Sequence, residues 1–535
     1  MKHLVWLLCL LVALAAYLSM PAQVGKAVGS AAQAARVQFA LDEVSPTPTA
    51  HSFQLAPVAT HPATTASPTS SPTPTATATS PPSPTATPTP SPSPTPIFSP
   101  TPEPDPYVLH GYTVQEGDTL EMIAERFNVA VADLLEINHL GSPDLIKIGQ
   151  QLRLFAPQGM PQEPAIVLLP DSELVYSPAY RGFDTLAEAQ RFGGYLTQHS
   201  EEVEGEILTG PQIVDRVAKR YSLGPRMLLT LLELQSGWVT QPEPVERIFP
   251  MGQRDGARTG LFKQLSWAAD RLNENYYSTL QGHQPFVYFR DGTPLHLSSG
   301  LNPGSVAVEN LLALVQTPQQ WKWAVREGGF LALYRHLFGD PWARQITPLV
   351  PPDLTQPSLA LPWAPNETWY YTGGPHGGWG EGSARAGLDF APPTKNGCFP
   401  APEWVLAVAD GVIIRSENGE VVQDLDGDGF LGTGWTILYM HITAEERVPV
   451  GTWVRAGERI GHPSCEGGWS EATHLHIARR YNGQWMLADQ PPEFVMEGWV
   501  PIAWTHSYEG ELVRGNHRLQ AISGRAGLRN AIGGQ

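Results

Sequence analysis

The chain has 535 residues, of which 42% are hydrophobic and 16% charged, with a formal net charge of −18 and three cysteines. That length exceeds what one hydrophobic core organises, so several domains are expected. The acidic balance excludes a nucleic-acid binder, because phosphate backbones demand basic patches, but it admits uncharged and zwitterionic polymers.

Lys2 precedes an apolar run from Leu4 to Met20. The run is long for the apolar core of a secretory signal and slightly short for a spanning helix. Gly25 and Ala27 offer small residues for cleavage after Ala27. Residues 1–27 are read as a signal peptide or an uncleaved membrane anchor. Either places the remainder outside the cytoplasm, secreted or held in the cell envelope. Cys9 lacks the flanking small residues of a lipoprotein site and reads as apolar filler. Residues 28–106 follow as a disordered linker, rich in Pro, Thr and Ser from about Ser45 to Pro104. Such a segment cannot bury enough surface to offset its ordering entropy. At ~3.1 Å per residue it reaches on the order of 150–180 Å if stiff, a wall-spanning length.

Residues 107–157 form a compact module. Thr113 and Val114 begin a strand. Asp118 or Thr119 caps a helix with apolar positions at Leu120, Ile123, Ala124 and Phe127. Val131 to Asn138 gives a second helix and Ile148 to Leu154 the return strand. The Tyr112-Thr-Val-Gln-Glu-Gly-Asp-Thr-Leu120 opening and the Leu134-Leu-Glu-Ile-Asn138 run resemble the LysM family. That resemblance implies a βααβ fold and binding of N-acetylglucosamine-containing glycan by backbone groups near Gly117 to Thr119 and near the second helix. One copy implies modest affinity, useful for concentrating a tethered partner domain.

Residues 165–353 read as a mostly α-helical domain. Pro211 and Pro225 start helices, and Gly237 follows the end of the second. Further helical pattern covers Trp267 to Tyr277, Val306 to Val315 and Phe330 to Phe338. The stretch from Leu228 to Trp238 faintly resembles the catalytic helix of lysozyme-like lytic transglycosylases. Gln235 stands where their acid would be, and Gln cannot protonate a glycosidic oxygen. Glu233 lies about 200° around the helix. A glycan-cleaving role for this domain is therefore the weaker alternative, behind a spacer or glycan-contacting role.

The chemistry concentrates in residues 360–502, after a Pro-rich link. Thr473-His-Leu-His-Ile477 reads as a strand, which puts His474 and His476 on one face. Trp435 to His441 is a second strand, with His441 at its end. Asp389 follows Gly387, and His376 sits in Gly373-Gly-Pro-His-Gly-Gly-Trp379. Catalytic zinc takes three protein ligands and a water.

Taken in order, these motifs resemble the catalytic domain of the lysostaphin-type zinc endopeptidases, which cut the peptide part of bacterial peptidoglycan. In the lysostaphin branch the first ligand lies four residues before the Asp, and here that position is Arg385. The beta-lytic and staphylolytic branch places its first His further upstream. His376 precedes Asp389 by 389 − 376 = 13 residues, which fits that branch. The resemblance implies an antiparallel β-sheet domain with Zn2+ held by His376, Asp389 and His476. It also implies His474 as general base, and His441 holding the oxyanion or orienting the water. The substrate implied is the peptide cross-bridge or stem. Arg385 keeps open a second reading, an inactive wall-binding activator of other hydrolases.

Four smaller expectations complete the reading. His462 in Gly-His-Pro is a loop residue outside the site. Asp424 to Gly429 resembles the start of an EF-hand loop, but Trp435 stands where the bidentate Glu belongs, so a solvated hairpin turn is expected. Cys398 and Cys465 are expected to pair in an exported chain. Residues 503–535 read as a polar tail with a loose end.

Overall fold

The computed structural model describes residues 107–533, except short stretches between 115 and 165 and residues 284–285, 299 and 396. The expected leader and linker lie outside the described residues, as do Gly117 and much of the second LysM helix. Among the described residues no helix is long and apolar enough to cross a membrane.

The first module pairs β1 (Tyr107–Thr113) antiparallel with β2 (Gln151–Pro157), Tyr107 opposite Pro157. Between them lies α1 (Leu120–Arg126). Thr119 Oγ1 accepts from the Met122 N–H at 3.2 Å, satisfying one of the first-turn donors. Val114, Leu120, Ile123, Ala124, Leu134 and Leu152 make the core.

The middle region is helical around α2 (Gly210–Tyr221), α3 (Pro225–Ser236), α4 (Leu261–Leu280) and α5 (Pro303–Val315). Gln212 and Thr209 form a capping box at the start of α2, whose Ile213, Val214, Val217 and Ala218 are buried. Pro225 opens α3, and Gly237 in the left-handed region (φ 74°) closes it. Glu233 is spent locally. Its carboxylate accepts from Val239 N at 2.8 Å, Thr240 N at 3.0 Å and Thr240 Oγ1 at 2.5 Å. With Gln235 beside it, this helix presents no acid for glycan cleavage.

The third region is a nine-stranded sheet. Its strands are β3 (Thr368–His376), β4 (Gly387–Ala391), β5 (Gly411–Glu417), β6 (Glu420–Asp424), β7 (Trp435–Met440), β8 (Trp453–Val454), β9 (Leu475–Tyr481), β10 (Gln484–Trp485) and β11 (Ala531–Gly533). The order is β8-β5-β6-β7-β9-β4-β3-β11, with β10 added to β9. All of these pairings are antiparallel.

Alternation along the strands splits the sheet into two faces. Val421, Ile437, Tyr439, Ile477, Leu388 and Phe390 fill the domain's own core. Val422, Leu438, Met440 and Ala478 point the other way and join the core of the helical region. Polar contacts fasten the same seam. Arg220 of α2 meets the fully buried Glu420 at 2.5 Å, and Arg415 reaches Glu420 at 2.7 Å. Arg480 of β9 donates to Lys219 O and Arg220 O, carbonyls left open at the end of α2.

The tail departs from expectation. The described residues 503–533 are built into strands. A small antiparallel sheet joins Val500–Ala503, Gly510–Arg514 and His517–Gln520, and β11 then lies along β3 with Ala531 opposite Tyr370. Asn530 donates to the carbonyls of Tyr371, Ile522 and Gly524, fastening the segment from inside. A short edge strand of this kind is stabilised by a partner 161 to 165 residues away, so local composition carries no trace of it. Cys398 and Cys465 form a disulfide with Cα atoms 5.1 Å apart.

Candidate metal centre

The centre is built on three neighbouring strands. In the β9–β4 register His476 faces Asp389, and in the β4–β3 register Gly373 faces Asp389 and His376 faces Gly387. All three candidate ligands are buried and lie on the sheet face that also receives the helical region.

His376 Nε2 lies 2.9 Å from His476 Nδ1 and 3.2 Å from Asp389 Oδ1, and His476 Nδ1 lies 3.0 Å from Asp389 Oδ1. The opposite ring nitrogens are committed as donors. His376 Nδ1–H donates to Gly374 O at 2.8 Å, and His476 Nε2–H to Gly378 O at 3.1 Å. Assigned from these partners, both facing nitrogens carry bare lone pairs. Two imidazole lone pairs and a carboxylate oxygen therefore converge in a buried triangle, an arrangement that a cation or proton stabilises. A tetrahedral zinc with bonds of ~2.0–2.1 Å sets its ligand atoms roughly 3.3 Å apart, close to this triangle. The donor set thus fits a zinc-sized ion. Burial opposes the charge of Asp389, but the His376 and His474 imidazoles hold its carboxyl well below the usual carboxylate range. Burial also pushes the His476 imidazole down, against the pull of Asp389.

Glycines make room for this packing. A Cβ on Gly373 would lie 2.4 Å from Asp389 Oδ2, and one on Gly387 would lie 2.3 Å from His476 Cε1. The Gly-rich loop after His376 is braced by the helical region. Its Gly382 N–H donates to Asp270 Oδ1 at 3.4 Å, and the Arg220 guanidinium lies over Trp379, 5.2 Å from the ring centroid.

The other two candidate histidines stand beside the triangle. His474 Nε2 is 3.8 Å from Asp389 Oδ1, while its Nδ1–H donates to Ala472 O at 2.7 Å. Strand alternation alone would send His441 into the core with Ile437 and Tyr439. Instead β7 ends at Met440, and His441 takes φ 66°, which turns its ring to within 4.5 Å of the His474 ring. His441 Nδ1–H donates to Gly467 O at 3.0 Å. Burial and the neighbouring imidazoles push its pKa down to about 3.

Residues expected outside the centre are outside it. His462 bonds Glu403 O and Glu446. Asp424, Asp426 and Asp428 form the turn between β6 and β7, where Asp424 accepts from Gly429 N at 2.8 Å and Asp428 pairs with Arg181. Arg385 points away from the triangle and donates to Trp504 O at 2.9 Å and Thr505 O at 2.8 Å. The sequence reading missed Tyr508, whose ring stacks on His376 with centroids 4.0 Å apart. It lies in the polar tail, with only its aromaticity as a signal.

The peptidase family M23 model matches residues 383–487, the LysM domain model residues 112–155, and the LasA N-terminal domain model residues 167–352. The chain carries a LysM domain and an M23 peptidase domain. It is similar to protease LasA of Pseudomonas aeruginosa, 25% identical over 283 residues, 49% of this chain and 64% of that protein. It thus spans less than two thirds of that relative's length. Among solved structures it is similar to the deep-sea M23 metalloprotease pseudoalterin, at 23% identity and TM-score 0.25, covering 31% of this chain and 96% of that one. It is also similar to the lysostaphin catalytic domain from Staphylococcus simulans, at 28% identity and TM-score 0.17, covering 23% and 88% respectively. The LasA N-terminal match overlies the helical region, for which the sequence had suggested only a faint resemblance to lysozyme-like lytic transglycosylases.

Proposed function

We propose that this chain is an exported zinc endopeptidase that hydrolyses peptide bonds in bacterial peptidoglycan, with the LysM domain holding it on glycan. The observation that carries the reading is the convergence of His376 Nε2, Asp389 Oδ1 and His476 Nδ1 within 3.2 Å, with His474 and His441 alongside. His376, Asp389 and His476 hold the ion. Zinc, when bound, supplies Lewis acidity toward a water and the scissile carbonyl. His474, whose Nδ1–H is anchored on Ala472 O, presents a bare Nε2 that takes the water's proton and returns it to the leaving amine. His441 likewise presents a bare Nε2, since Nδ1 carries its proton. A neutral ring in this tautomer accepts rather than donates, so His441 orients the water and does not hold the oxyanion.

The test uses the full chain. Purified protein is assayed for zinc and incubated with sacculi. The expected result is one zinc per chain and new amino termini. His376→Ala loses both, while His474→Ala keeps zinc and loses hydrolysis. New reducing or anhydro sugars instead of amino termini would refute the peptidase reading.

A further inference from the structure

Arg385 occupies the place where the lysostaphin branch carries its first ligand, and it is built into a different device. Its guanidinium donates to the carbonyls of Trp504 and Thr505 at 2.9 and 2.8 Å. That fixes the backbone three residues before Tyr508. From there two connections run to His376. The first is through the backbone: Gly374 N–H donates to Tyr508 O at 2.8 Å, and Gly374 O accepts the His376 Nδ1–H at 2.8 Å. The second is through the rings, which stack 4.0 Å apart at an interplanar angle of 20°.

Tyr508 is 56% exposed and holds a left-handed φ of 68°, a conformation costly for an aromatic residue unless its surroundings enforce it. The enforcing contacts are those to Gly374 and Pro375, whose O accepts from Tyr508 N at 3.4 Å. Gly374 is needed for this approach, because a Cβ there would lie 2.6 Å from the Glu509 carbonyl carbon.

We infer that Arg385 and Tyr508 form a latch that orients His376 for the metal, so that the segment from residue 503 onward completes the centre. Both are positioning residues that act through the ring of His376. The inference rests on the metal reading above. In this chain the arginine that vacates one ligand position secures the histidine that replaces it.

The experiment measures zinc affinity of the full chain by competition with a chromogenic chelator, together with the visible spectrum of the cobalt-loaded protein. Outer contacts of a metal-bound histidine are typically worth 10–100-fold in affinity. Tyr508→Ala and Arg385→Ala are expected to weaken zinc binding roughly 10-fold or more and to alter the cobalt spectrum. Tyr508→Phe keeps the stack and is expected to keep wild-type affinity and spectrum. Melting of the chelator-stripped proteins reports folding separately, and Gly374→Ala, which pushes away the segment at Glu509, gives the same loss by another route. Wild-type affinity and spectrum in folded Tyr508→Ala and Arg385→Ala overturn the latch while leaving the metal reading intact. Failure of the wild-type chain to take up zinc at all overturns both.

Discussion

Gly387→Ala places one methyl group against the centre without touching a ligand atom's chemistry. Gly387 sits in β4 without a positive φ, so alanine suits its backbone and the effect is steric. The new Cβ would lie 2.3 Å from His476 Cε1, where ordinary contact begins at 3.4 Å, so something must move by 3.4 − 2.3 = 1.1 Å. His476 has little freedom, being buried and tied through Nε2 to Gly378 O. Zinc sites tolerate about ±0.2 Å in ligand distance. A ring displaced several times that far no longer closes the triangle, and zinc affinity is expected to fall at least about 100-fold, close to 2.8 kcal/mol at 1.4 kcal/mol per decade. Chelator competition on the full chain measures this, with melting of the stripped protein as the folding control. One equivalent of zinc bound by Gly387→Ala at wild-type affinity would refute the placement of His476 as a ligand.

The remaining predictions concern stability. Cys398→Ser with Cys465→Ser opens a loop of 67 residues, and the chain-entropy model gives a loss of about 4 kcal/mol, read from urea midpoints with metal chelated. Equal midpoints for bonded and unbonded protein would contradict it. Asp270, packed under the Gly380–Gly382 loop, has its pKa raised by burial from 3.8 to about 6. Below pH 3.8 it is protonated in both states. As pH rises through about 6 the folded state loses up to roughly 3 kcal/mol, at 1.36 kcal/mol per unit. Asp270→Asn is therefore expected to be the more stable protein above pH 6, with the gap closing below about pH 4. A constant gap across that range argues against the assignment. Arg220→Ala leaves the buried Glu420 with Arg415 alone and is expected to cost about 3 kcal/mol and open the helix–sheet seam to proteolysis.

The parts of this molecule governed by local pattern were legible in the sequence. Helices opened by Pro225 and closed by Gly237, or striped like Ile213, Val214 and Val217, follow from short-range rules, and the strand pair and first helix of the LysM module read from its opening motif and apolar spacing. The shared face of His474 and His476 also follows from strand alternation. Long-range features were not legible. Nothing near Val422, Leu438 or Ala478 says that their side of the sheet meets helices rather than solvent. Strand β11 is three residues long and gains its place only from β3. His441 defied alternation because the strand stops one residue early. Arg385 read as a defect because its partners, Trp504 and Thr505, lie 119 and 120 positions away.

The edge of the sheet has a kinetic consequence. Thr368 pairs with Gly533, a separation of 533 − 368 = 165 residues along the chain. Pairings that span so much sequence form slowly, because the entropy of closing the loop is lost before the contacts repay it. A polypeptide emerging from the ribosome carries the strand of His376 and its inner neighbour β4 long before it carries the outer partner β11. The strand that carries His376 therefore gains its outer partner among the last features of folding, well after the LysM module upstream has had its chance to form.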